Sequence, residues 1–140
     1  FFFNNRAYHV KKGNLILVDT NLIHMTHATE DDTTGYTRII LYIDKSKMQQ
    51  FDEKFSHLNL VSFFREHYGV YNLTQTQQER FLHMYDVLTT EFSNRSRSYK
   101  AVIEMEIIRY FIDFIRDNPK LAPVKELPFT KAASTRRFIT

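Results

Sequence analysis

At Ile43 the spacing of apolar residues changes from two to three or four, and that change divides the chain into two kinds of structure. Before it, residues 36–43 alternate: Thr37, Ile39, Leu41 and Ile43 fall on one side of an extended chain, and Tyr36, Arg38, Ile40 and Tyr42 on the other. The first set is the more aliphatic, so it should face inward. Shorter β-branched and aromatic runs at 1–3, 7–10, 14–18 and 23–28 are separated by Asn4-Asn5, Lys11-Lys12-Gly13, Asp19-Thr20-Asn21 and the polar stretch 29–35. Strands and turns at that spacing predict a meander that closes into a barrel or sandwich.

After Ile43 the pattern is helical. Asp44 stands at an N-cap, followed by Met48, Phe51 and Phe55. Val61, Phe64 and Tyr68 mark a short second segment that stops near Gly69. Thr74 with Gln77 three residues on is a capping box, and Phe81, Met84, Tyr85, Leu88 and Phe92 continue as an amphipathic stripe. The polar run 93–98 predicts a break, and Ser98 a cap for a last helix ending near 117, before Asn118-Pro119. That helix carries Val102, Ile103, Met105, Ile107, Ile108, Tyr110, Phe111, Ile112, Phe114 and Ile115. So little polar face remains that a partner subunit is expected to cover part of it. Residues 118–140, with Pro119, Pro123 and Pro128 and no sustained periodicity, read as a linker or a poorly ordered tail.

Charge and composition then exclude several function classes. The net charge of +3 resides in the tail, where Lys120, Lys125, Lys131, Arg136 and Arg137 outweigh Glu126 by four, leaving −1 for residues 1–119. A near-neutral body predicts no phosphate-binding face there. The absence of cysteine removes disulfides, thiolate metal sites and thiol nucleophiles, and fits a reducing, cytoplasmic setting. No apolar run approaches the ~18 residues of a membrane span. The opening on Phe1-Phe2-Phe3, without basic flank or cleavage site, predicts a start internal to a longer protein rather than a signal peptide. Gly13, Gly35 and Gly69 are the only glycines, too few and too far apart for a phosphate loop, a dinucleotide turn or a nucleophile elbow. Asp31-Asp32 lie in a turn, and Glu104 and Glu106 diverge on a helix, so neither forms an acid/base pair. No enzymatic activity and no cofactor are expected.

The twelve residues 13–24, Gly-Asn-Leu-Ile-Leu-Val-Asp-Thr-Asn-Leu-Ile-His, resemble the second signature motif of cupins, G-D-x-x-x-x-P-x-G-x-x-H. Gly13 and His24 match in place, while Asn14, Asp19 and Asn21 are turn-compatible replacements. With the strands on either side and the helices after them, the order over residues 1–117 resembles the sensor domain of AraC-family transcription regulators. The resemblance implies a mainly β plus α fold: a cupin-like β-barrel of jelly-roll type over 1–43, its N-terminal part missing, then a helical dimerisation segment over 44–117. It implies a small-molecule effector inside the barrel, a homodimer, and DNA contact only through a C-terminal helix-turn-helix domain absent from this chain.

On that resemblance the effector pocket is lined by Tyr8, Val10, His24, Thr26, Thr37, Ile39 and Leu41, the last three also chosen by alternation. Dimer contacts are expected from Ile103, Ile107, Tyr110, Phe111 and Phe114. His24 occupies a position that ligates metal in metal-dependent cupins, but the earlier His-x-His-type motif would lie before Phe1, so no metal is expected. His27 points to the opposite strand face. The alternatives to a regulator are a metal-dependent cupin enzyme and a stand-alone small-molecule-binding cupin.

Overall fold

The computed structural model describes residues 10–19 and 38–117 in full, together with the backbone of short strands at 2–3, 6–7 and 24–25. Strands β1 (Phe2–Phe3), β2 (Arg6–Ala7), β3 (Asn14–Leu17) and β4 (His24–Met25) precede helices α1 (Lys45–Lys54) and α2 (Leu60–Glu66). Strand β5 (Gly69–Asn72) and the long helices α3 (Gln75–Asn94) and α4 (Tyr99–Asp117) follow. β1 pairs antiparallel with β2 and β4, and β3 pairs antiparallel with β5.

This architecture corrects the expected cupin-like barrel. The described residues are mainly helical, with four helices of 10, 7, 20 and 19 residues, whereas three of the strands are two residues long. The reason lies in where the apolar side chains go. Among described residues the buried core consists of Leu17 together with Met48, Phe51, Leu60, Phe63, Phe64, Met84, Leu88 and six residues of α4. Leu17 alone precedes residue 44, so the helices close the core on one another. Residues 38–43 belong to no described strand ladder. Leu41 and Ile43 pack against the helical core, while Ile40 and Tyr42 are exposed. The alternation was therefore a true sign of one-sided burial, but the surface it faces is helical.

The helices form where their sequences provide ends. Thr74 Oγ1 accepts from Gln77 N and Gln77 Oε1 accepts from Thr74 N, completing the capping box. Asp44 has the extended backbone of an N-cap but makes no side-chain cap bond. α2 is capped from outside itself: Asn59 is left-handed and offers no side-chain bond, and Asp52 on α1 accepts from Leu60 N at 2.7 Å and Val61 N at 3.1 Å. One carboxylate thus ties α1 to α2. An aromatic cluster welds the remaining elements, Phe114 meeting Phe63 of α2 and Tyr71 of β5 edge-on, and Phe64 meeting Phe111.

Candidate functional site at the Gly13 turn

The motif that begins at Gly13 enters β3 through a tight turn. Lys11 N donates to Asn14 Oδ1 at 2.9 Å, and Asn14 N donates to Lys11 O at 3.1 Å. Gly13 sits at φ +91°, a conformation side chains resist, which accounts for a glycine at this point. β3 then runs beside β5 with Asn14 opposite Asn72, Leu15 opposite Tyr71, Ile16 opposite Val70 and Leu17 opposite Gly69. A side-chain bond from Asn14 Nδ2 to Asn72 Oδ1, 2.6 Å, fixes the register at the turn end.

The same turn is bound to the start of α3. Leu73 N donates to Gly13 O at 3.0 Å, and Gln78 Nε2 donates to Leu73 O at 3.1 Å. The Gln78 amide lies so close that a Cβ added at Gly13 would meet Nε2 at 2.9 Å. Between Leu73 and Gln78 stands the Thr74 capping box. A displacement of the Gly13 turn is therefore felt at the first turn of α3, through one backbone bond and one packed side chain. β5 carries a second line: the Tyr71 ring packs on Phe114, its hydroxyl donates to His67 O, and burial raises the phenol's pKa.

The helical layer is held by partly exposed ion pairs as well as by its core. Glu104 of α4 accepts from Lys47 at 3.0 Å and Lys54 at 3.5 Å, both on α1. The Lys47 hydrogen bond, helped by both lysine charges and opposed by partial burial, holds its carboxyl below the ordinary glutamate range. Arg80 of α3 pairs with Asp117 at the end of α4. Burial pushes the Tyr110 hydroxyl up to about 12, Arg80 opposing it.

The expected pocket residues are distributed as follows. Val10 is half-buried. Leu41 is half-buried and packs on the helical core, whereas Ile39, expected on its face, remains 40% exposed. His24 is in β4 opposite Phe3. Tyr8, Thr26 and Thr37 lie outside the described residues, as does His27. The five residues expected at a dimer contact, Ile103, Ile107, Tyr110, Phe111 and Phe114, are all buried in the chain's own core. The outward apolar residue of α4 is Met105. Among the described residues no group of three or more His, Asp or Glu is placed to hold a metal ion, and no helix is long and apolar enough to cross a membrane.

The pairing of β3 with β5 spans the boundary drawn at residue 43 and was missed. Its signal was present: Gly69 ends a helical pattern, and Val70-Tyr71 are strand-favouring residues between it and the Thr74 cap. The contact of Gln78 with Gly13 had no local signal, being set by how β5 leads into α3.

No family model matches this chain, and no curated protein or solved structure matches it significantly.

Proposed function

We propose that this chain is the effector-sensing and dimerising part of a transcription regulator of the AraC type, controlling a helix-turn-helix domain outside these residues. The effector is a small molecule that acts on the segment containing the Gly13 motif. The observation that carries the reading is the joint at Gly13, where the motif turn is hydrogen-bonded to Leu73 and packed on Gln78 of α3. Such a joint is what a sensor needs, because an effector can bias a distant equilibrium only if its binding differs between two arrangements of a connected element. The resemblance of residues 13–24 to the cupin motif, and the order of strands followed by helices, support the same reading.

A fusion of residues 1–140 to a DNA-binding domain that represses a reporter only when paired tests both halves of the proposal. Repression by the fusion, changed by at least one of xylose, glucose or palmitate as probes, is the expected result. Gly13→Val should keep repression while abolishing the response to the probe. A fusion that never represses refutes the dimerising role, and a Gly13→Val fusion that responds fully refutes the joint as the route of signalling.

A further inference from the structure

With the apolar side of α4 consumed inside the chain, the open apolar surface of the long hairpin lies on α3. Leu82, Tyr85 and Phe92 are 51%, 40% and 54% exposed, and Thr89, also exposed, completes the line. Their spacings of three, four and three put them on one stripe about 15 Å long, at 1.5 Å per residue. Met84 and Leu88 on the neighbouring face belong to the core, so the stripe is additional to the residues that hold α3 in place. Thr89 Oγ1 bonds back to Tyr85 O at 3.0 Å, which spends its hydroxyl locally and leaves its methyl group to the surface.

We infer that this stripe is the surface on which a second copy of the chain pairs, with the two α3 helices antiparallel. The inference rests on the dimerising role proposed above and names the surface that performs it. Two features favour a second copy in that orientation. The spacing is symmetric about residue 87, so an antiparallel copy brings Leu82 level with Phe92 and Tyr85 level with Thr89. Charge is distributed to match: Glu79 and Asp86 are on the exposed surface of the helix body, while Arg95, Arg97 and Lys100 cluster at the far end, with no Asp or Glu between 92 and 103. In the antiparallel arrangement Glu79 stands level with Arg95 of the other copy. A parallel arrangement would set like charge beside like, which disfavours it. The one unfavourable element is Asp86, which flanks the midpoint and approaches its own copy there.

The absence of cysteine makes the geometry directly testable. A Leu82→Cys, Phe92→Cys double variant should oxidise to a covalent dimer, whereas Leu82→Cys alone should not, since its two copies would lie about 15 Å apart. The paired thiols within one chain are separated by the same distance and cannot bridge internally, a disulfide needing Cα atoms within ~7 Å. In sedimentation equilibrium the unmodified chain should be dimeric, Tyr85→Glu should weaken the dimer about tenfold or more with far-UV circular dichroism unchanged, and Asp86→Asn should tighten it. Dimers that survive Tyr85→Glu, or that cross-link through Leu82→Cys alone, overturn this surface and leave the dimerising role standing. A monomeric unmodified chain overturns both.

Discussion

The joint at Gly13 makes a quantitative prediction for Gly13→Ala. Two costs apply. An L-residue held at φ +91° carries backbone strain of about 1–3 kcal/mol. The new Cβ would also lie 2.9 Å from Gln78 Nε2, and that atom can retreat only by giving up its bond to Leu73 O, worth about 0.5–1.5 kcal/mol. Against these stands a gain of about 0.4–1 kcal/mol, because alanine restricts the unfolded chain. The net expectation is a loss of about 1–3 kcal/mol, read from urea denaturation followed by far-UV circular dichroism. A double-mutant cycle separates the causes. With Gln78→Ala in the background the contact is gone and the strain remains, so Gly13→Ala should cost about 0.5–1.5 kcal/mol less there than in the unmodified chain. A cost below about 0.5 kcal/mol in the unmodified chain, or no coupling in the cycle, would show that the turn and α3 move independently and would remove the basis for signalling through them.

Three further outcomes follow from the helical layer. Asp52→Ala should lower stability by about 1–2 kcal/mol in the same urea assay, because Leu60 N and Val61 N lose the acceptor that starts α2; a neutral result would mean water replaces the cap at no cost. Glu104→Gln should cost about 0.5–1 kcal/mol at neutral pH, a modest value because both lysines are well exposed. The folded pKa of Glu104 is depressed, so its contribution is complete above the ordinary glutamate value of 4.5 and disappears as pH falls through the folded value; an acid transition that Glu104→Gln leaves unchanged would contradict this. Tyr110 has the opposite sign. Its pKa is raised to about 12, so its contribution is complete below the ordinary value of 10.0 and is lost as pH rises from there to about 12. Tyr110→Phe should flatten the alkaline fall in stability over that interval, and an unchanged fall would assign it to other groups.

Local chemistry made much of the helical half readable from the sequence. The Thr74 capping box lies where Thr74 and Gln77 predicted it, α3 ends two residues beyond the expected Phe92, and α4 ends at Asp117 as its polar exit indicated. Each depends on groups within four residues of one another, so neighbouring side chains suffice to specify them. The apolar residues of α4 also announced their burial correctly, but not their partner. Ile103, Ile107, Tyr110, Phe111 and Phe114 read as needing a second subunit, and the aromatic residues of α2 and β5 meet the need inside one chain.

The candidate site divides the same way. A glycine opening a strand before a distant histidine was visible at Gly13 and His24, and the face of Leu41 and Ile43 was visible by alternation. What covers those faces was not. Periodicity reports that one side of a segment is buried and says nothing of what buries it, so the same alternation suited a barrel interior and a strap lying on helices. By itself the sequence determined the helix starts and stops, the apolar stripes and the turn that requires Gly13. Only the tertiary structure decided that β3 takes β5 as its neighbour, that Gln78 closes on Gly13, and that Leu82, Tyr85 and Phe92 remain outside. The reason is that a non-local contact is chosen by competition among all apolar surfaces of the chain, and no single segment carries that information.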